Sequence, residues 1–193
     1  RDLTVTGVQT CALPIYWQSA AYNPDSKTLF LPIAEVCMHA GPTGQGGILA
    51  TGAGMEATPS PLAASDDQFG RWQAVNVETR ELVWDHRKEA PPTSAVLSTE
   101  GGLVFIGALD QSFTALDEAT GEVLWSTDLG DIPASFPITY QVGDKQYIAV
   151  AIGTPTIHAN VWLGLTQEYF GADRNFAGSL SRQGPALKVF SLN

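Results

Sequence analysis

The chain has 193 residues, of which 44% are hydrophobic and 16% charged, and it contains 19 glycines and 12 prolines. This composition favours many short strands joined by turns over a helical bundle. The formal net charge of −10 argues against nucleic acid or an anionic membrane surface as a partner. No apolar run approaches the roughly 18 residues that a membrane-spanning helix needs.

The first fifteen residues are predicted to lie outside the fold. Residues 5–15, VTGVQTCALPI, resemble one reading frame of a common sequencing-adapter oligonucleotide over 11 consecutive positions. We therefore expect residues 1–15 to be adapter-derived, with the junction near Tyr16 and the genuine frame over residues 16–193. A genuine N-terminal strand is the alternative. The stretch also lacks the apolar segment of a secretory signal.

Cys11 and Cys37 are the only cysteines. Their separation forms neither a CxxC pair nor a metal-binding framework, which favours two independent thiols, buried or free. The neighbouring pair Cys37-Met38 is expected to fill buried space and not to bind a soft metal.

Residues 41–54 are rich in glycine. They lack the GxxxxGK[ST] pattern and a following helix, so they do not predict a phosphate-binding loop. We expect a long loop between repeats, of the kind that shapes the mouth of a pocket.

Two segments repeat with a spacing of 41 residues. Residues 74–84 read AVNVETRELVW, and residues 115–125 read ALDEATGEVLW. The shared positions are Ala74 and Ala115, Asn76 and Asp117, Thr79 and Thr120, Glu81 and Glu122, and Trp84 and Trp125. A period of this size is typical of propeller blades or of helical repeats.

The pattern of apolar and β-branched residues decides between these two architectures. Turns are predicted at residues 110–111, 118–121 and 143–145, with Gly121 providing a left-handed backbone. The runs between them read as strands at Leu103–Gly107, Gln111–Asp117, Glu122–Thr127, Phe136–Tyr140 and Gln146–Ala151. Four short strands in about 40 residues make one blade. The predicted fold class is therefore all-β, a partial β-propeller with four-stranded antiparallel blades.

The repeated tryptophan is predicted to be structural. A large flat ring at Trp84 or Trp125 can cover the gap between neighbouring blades, because Ala74 and Ala115 leave room at the facing positions. The buried indole N–H then donates to a backbone carbonyl of the next blade. Stacking on a cofactor is the alternative role.

This repeat resembles the tryptophan-docking motif A-x-D-x-x-T-G-x-x-x-W of the eight-bladed quinoprotein propellers. Further segments resemble the C-terminal part of alcohol dehydrogenases that depend on pyrroloquinoline quinone (PQQ). These segments are residues 93–107, 136–140 and 144–150, the strand-turn element at 22–32, and the closing strand at 184–192. The resemblance covers residues 16–193 and is weakest inside 39–70 and 154–183.

The resemblance implies a periplasmic enzyme that oxidises an alcohol with PQQ held over Ca²⁺ or a lanthanide ion, and that passes electrons to a cytochrome. The family's catalytic Asp, its metal-binding Glu and Asn, and the Trp that stacks on PQQ lie upstream of this chain. A family Asn that contacts the quinone aligns with Tyr16. We therefore expect an inactive, cofactor-free piece of the enzyme, in which Thr156 and Ile157 are the candidate cofactor contacts.

Other polar residues are not expected to form a site. His39, His86 and His158 lack metal-binding spacing and are expected to be ordinary surface or loop histidines. The acidic pairs Asp66-Asp67 and Asp85 with Glu89 are expected to be solvated loop charges, because no calcium-loop pattern is present.

A second functional class stays open, namely a propeller that carries the same docking repeat without a cofactor and serves as a binding or assembly scaffold. In either class a half ring exposes apolar faces between blades. We therefore expect this chain, expressed alone, to aggregate or to remain partly molten.

Overall fold

The computed structural model describes residues 8–12, 18–42, 49–51, 55–61, 66–153, 162–164, 166–167, 176 and 185–192. Its described strands, in chain order, are β1 (Val8–Ala12), β2 (Ala21–Asn23), β3 (Thr28–Ala34), β4 (Val36–Pro42), β5 (Leu49–Thr51), β6 (Met55–Pro61), β7 (Gly70–Asn76), β8 (Leu82–Lys88), β9 (Leu97–Ser98), β10 (Leu103–Gly107), β11 (Ser112–Asp117), β12 (Val123–Asp128), β13 (Ile138–Val142), β14 (Lys145–Ile152) and β15 (Ala186–Leu192). Residues 162–164 and 166–167 are helical. No helix in the described part is long and apolar enough to cross a bilayer.

The described strands form four antiparallel sheets. Blade 1 has the order β2-β3-β7-β8, blade 2 has β9-β10-β11-β12, and blade 3 has β13-β14-β15. The fourth, here called the inserted sheet, has the order β1-β4-β6-β5 and interrupts blade 1 between β3 and β7. The all-β fold with antiparallel blades agrees with the prediction from the sequence, and blades 1 and 2 have the expected four strands, whereas blade 3 has three among the described residues.

The two inner strands of blade 2, β10 and β11, are buried on both faces of the sheet, and their alternate residues point to opposite sides. Val104 and Ile106 of β10 belong to the apolar cluster shared with blade 1. Phe105, between them, belongs to the cluster shared with blade 3. In β11, Leu116 faces blade 1 and Phe113 faces blade 3. The three blades therefore form a stack joined by two apolar seams.

One face of blade 3 is open. Ile138 lies opposite Ala149 in the strand register, and Ala149 lies opposite Val189, so these residues share one face of the sheet. The large apolar side chains exposed on it are Ile138 (55%), Tyr140 (39%), Val142 (61%), Leu187 (65%) and Val189 (44%). We call this surface the open face of blade 3.

The inserted sheet corrects the predicted loop. Residues 41–54 are predicted to be a long loop, yet those of them that the structure describes lie in strands: Gly41 and Pro42 end β4, and Leu49–Thr51 forms β5. Strand β4 pairs with β6 from Val36 opposite Pro61 to Pro42 opposite Met55. Strand β5 adds to the other edge of β6. No local sequence pattern marks the pairing of β4 with β6, because no tight hairpin turn joins these two strands.

The cysteines differ from expectation. Val8–Ala12 forms β1 against β4, with Cys11 opposite Cys37 in the backbone register, and the adapter origin of residues 1–15 stays a prediction. Cys37 is disulfide-bonded, so the expectation of an independent thiol is wrong. Spacing along the chain does not show which strands become neighbours.

Candidate functional site

The tryptophan of the first repeat docks on the turn of the second. Trp84 lies at the start of β8, at an edge of blade 1, and its indole N–H donates to the carbonyl oxygen of Glu118 at 2.8 Å. A Cβ placed at Gly121 would lie 2.7 Å from Cδ2 of Trp84, so the ring packs directly against the bare glycine backbone. Ala74 is opposite Trp84 in the register and is fully buried.

Asp117 holds that turn in shape. Its carboxylate accepts hydrogen bonds from the backbone N–H groups of Ala119 (3.0 Å) and Thr120 (2.8 Å), and from the Thr120 hydroxyl (2.9 Å). The hydrogen bonds from Thr120, side chain first, lower the pKa of Asp117 below its usual value. Gly121 follows with a φ of 73°, the left-handed conformation that glycine adopts without strain.

The side chain of Glu118 ties the same turn back to blade 1. Both carboxylate oxygens accept from the Asn23 amide at 2.8 Å, and one also accepts from the Ser26 hydroxyl. The carboxylate is buried, at 8% exposure. The backbone of Glu118 receives the indole while its side chain receives two polar groups, so this residue links the blades twice.

The other end of the seam is polar. Lys88 donates to the carboxylate of Asp110 at 2.7 Å and to the Ser112 hydroxyl at 2.6 Å. Its ammonium lies 5.7 Å from the ring centroid of Trp72, and His86 stacks on that ring at 5.1 Å.

His86 is therefore a half-buried strand residue, and the expectation of an ordinary surface or loop histidine is wrong for it. Burial, and then the neighbouring Lys88, lower the pKa of His86. His39 lies in β4, and His158 lies outside the described residues.

The second tryptophan is less enclosed. Trp125 is opposite Ala115 in the register and is 38% exposed, compared with 9% for Trp84. Its ring packs edge-on against Phe113 and, at 5.1 Å, against Phe190 of β15. Within the described residues, only the first copy of the motif shows the full docking geometry.

Sequence reasoning missed a buried carboxylate. Glu35 is 1% exposed and accepts from Arg71 at 2.9 Å and from Arg87 at 2.7 Å. Asp85 forms a two-pronged pair with Arg71 at 2.8 and 2.9 Å, so it is a paired strand residue and not the solvated loop charge expected. The signal was a single acidic residue inside the apolar run 29–36.

The loops at the ends of the blades opposite the docking turn lie next to one another. We call residues 89–96, 108–111 and 129–137 the rim. Leu109 N–H donates to the Pro91 carbonyl at 3.0 Å, which joins two of the rim loops. On the rim, the Thr93 hydroxyl is buried without a partner among the described residues. Asp131 is 4% exposed and accepts from Ile132 N–H.

This rim does not fit PQQ with its metal ion. Calcium takes about six to eight oxygen ligands, and the described residues contain no group of three or more His, Cys, Asp or Glu side chains able to hold a metal. The candidate contacts Thr156 and Ile157 lie outside the described residues. The polar groups on the described part of the rim are therefore isolated from one another and do not form a set of metal ligands.

Stacked antiparallel sheets, with a tryptophan of one sheet docked on the turn of the next, define a piece of a β-propeller. Residues 46–148 match the family described as the PQQ glucose/ethanol/alcohol dehydrogenase β-propeller domain, and the chain belongs to this family.

Several known proteins resemble the chain. The quinoprotein alcohol dehydrogenase PedE of Pseudomonas putida is 41% identical over 88 residues, covering 46% of this chain and 14% of that protein. The 1-butanol dehydrogenase (cytochrome c) of Thauera butanivorans is 27% identical over 188 residues, covering 92% of this chain and 27% of that protein. A europium-containing methanol dehydrogenase structure superposes with a TM-score of 0.68 at 30% identity, covering 91% of this chain and 32% of that one. The chain thus spans less than a third of each relative.

Proposed function

We propose that this chain is the C-terminal part of a PQQ-dependent dehydrogenase that oxidises an alcohol to an aldehyde or ketone and passes the electrons to a cytochrome. The observation that carries the proposal is the family match over residues 46–148. The relatives named for a quinoprotein, for alcohols and for cytochrome c support the finer statement. The parent protein is proposed to work in the periplasm.

The catalytic chemistry belongs to the whole protein from which this chain comes, here called the parent, and not to this chain alone. Because the described residues include no metal-holding cluster, we propose that PQQ and its Ca²⁺ or lanthanide ion are bound by blades outside this chain. The contribution of this part is then structural: two packed seams and a rim of loops. The piece alone is proposed to be inactive and free of cofactor.

The N-terminal segment forms a separate part of the proposal. Residues 1–15 are proposed to be translated adapter, and residues 16–193 the genuine propeller sequence. An adapter-trimmed long read across the locus tests this directly. A clean read that still encodes residues 1–15 would reject the adapter origin and leave the rest of the proposal in place.

The same read supplies the parent sequence for the decisive assay. The purified parent is reconstituted with PQQ and either Ca²⁺ or a lanthanide ion, and alcohol-dependent reduction of an artificial electron acceptor is followed. We expect turnover only with both PQQ and a metal ion, and none from this chain under the same conditions. A correctly folded parent that binds no PQQ, or whose upstream blades lack carboxylates for a metal, would overturn the enzyme and leave a scaffold propeller.

A further inference from the structure

The two docking turns have the same backbone but differ at the residues that would receive a neighbour. In blade 2, Gly121 has φ 73° and its N–H donates to Asp117 O at 2.9 Å. In blade 1, Arg80 has φ 63° and its N–H donates to Asn76 O at 2.8 Å. The repeat therefore places Arg80 where blade 2 has the glycine that contacts Trp84.

An indole cannot take the same position on the turn of blade 1. A Cβ at Gly121 would lie 2.7 Å from Cδ2 and 2.8 Å from Cγ of Trp84, and real Cβ contacts are longer than this. Arg80 carries a Cβ at the equivalent position of an equivalent backbone. A tryptophan docked there in the manner of Trp84 would clash with it.

The hydrogen bonds that Glu118 adds to the seam also have no counterpart on the turn of blade 1. Glu118 uses its carboxylate to accept from Asn23 and Ser26 across the seam. The equivalent residue in the first repeat is Val77, which is apolar and 44% exposed. The turn of blade 1 thus lacks both features that make the turn of blade 2 a receptor for its neighbour.

In place of the glycine and the carboxylate, the turn of blade 1 carries a cation, Arg80. Arg80 is exposed and makes no ion pair or side-chain hydrogen bond among the described residues, whereas Arg71 and Arg87 are both paired. Arg80 also has a left-handed backbone, a conformation that is disfavoured for any residue with a Cβ atom. The position therefore carries a charged side chain at a conformational cost that glycine would avoid.

We propose that the turn at residues 77–80 receives the preceding blade of the same propeller through a carboxylate that pairs with Arg80, and not through a docked tryptophan. The preceding blade is the one that packs on blade 1 as blade 1 packs on blade 2. The inference rests on the proposed function only in requiring a longer propeller. Continuity with the seam between blades 1 and 2, together with the unpaired cation, identifies the occupant.

The test uses the full-length parent and its melting temperature. Arg80→Gly is expected to lower the melting temperature, because the lost ion pair outweighs the relief of the left-handed backbone. Arg80→Glu should lower it further, and Arg80→Lys should retain part of the wild-type value. The loss in Arg80→Gly should shrink between about 50 and about 500 mM NaCl, as screening weakens the pair.

Asp66→Gly is the control for the backbone contribution. Asp66 is exposed, has a positive φ of 48° and lies outside the turn at residues 77–80, so this variant reports the gain from relieving a left-handed backbone, and we expect its melting temperature to be unchanged or raised. If Arg80→Gly behaves in the same way at low salt, the proposal is overturned. It is equally overturned if the effect of Arg80→Gly depends on protein concentration, since a second copy would then be the partner. The assay does not measure alcohol oxidation, so its failure is distinguishable from failure of the proposed enzyme.

Discussion

Replacing Gly121 with alanine tests the docking of Trp84, and the same replacement at Gly102 is the reference. Gly121 and Gly102 have φ angles of 73° and 76°, so alanine at either position meets the same backbone penalty, about 1 kcal/mol. A Cβ at Gly102 meets nothing within 4 Å, whereas at Gly121 it lies 2.7 Å from the Trp84 ring. Overpacking a close-packed contact adds about 1–3 kcal/mol. We expect Gly121→Ala to cost about 2–4 kcal/mol and Gly102→Ala about 1 kcal/mol.

A double-mutant cycle shows whether the extra cost comes from the indole. In a Trp84→Ala background the ring is gone, so Gly121→Ala should cost no more than Gly102→Ala, a coupling of about 1–3 kcal/mol. Urea unfolding of the parent and of its variants, followed by far-UV circular dichroism, supplies the free energies. Equal costs for the two glycine variants in the wild-type background would refute the docking geometry. A cost of Gly121→Ala that survives removal of the ring would refute the assignment to Trp84.

Three further results are expected. Trp84→Phe should lower the free energy of unfolding of the parent in urea by about 1–3 kcal/mol, because it leaves the buried Glu118 carbonyl without its donor. Trp72→Phe should cost less, since the Trp72 N–H has no partner among the described residues. A larger cost for Trp72→Phe than for Trp84→Phe would contradict this reasoning. Folding lowers the pKa of His86, so its contribution to stability is present above the pKa of the unfolded chain and is lost as the pH falls from there toward the lower folded pKa. Melting curves of His86→Gln over this pH range should lack this component, and a pH profile unchanged from wild type would count against it. This chain expressed alone should bind a hydrophobic dye and aggregate through the open face of blade 3, and a monodisperse monomer with a cooperative melt would disprove that.

The blades were predictable because their strands are local. Leu103–Gly107 was predicted and is β10, and the hairpin around residues 118–121 joins β11 to β12 as expected. Alternating apolar residues and a left-handed glycine determine each of these features over a few residues. The 41-residue repeat added the order of strands within a blade.

The features that the sequence did not predict depend on distant partners. The inserted sheet requires Val36–Pro42 to pair with Met55–Pro61, and no tight turn marks that pairing. Glu35 is buried only because Arg71 and Arg87, 36 and 52 residues away, reach it. His86 looked like an isolated histidine because its stacking partner, Trp72, lies on the neighbouring strand.

The repeated motif residues and the variable residues of the docking turn have different consequences for how neighbouring blades pack. A tryptophan docked on a bare glycine turn is a contact that every copy of the motif could make, so by itself it does not distinguish the correct neighbouring blade from another blade or from a second copy of the protein. The seam between blades 1 and 2 adds Glu118, which accepts from Asn23 and Ser26 and fits a neighbour that carries both donors. Val77 and Arg80 exclude that neighbour from the turn of blade 1. Specificity between similar surfaces requires such mismatches as well as good contacts. The motif residues therefore set the common geometry of the docking turn, and the variable positions of the turn distinguish one seam from another.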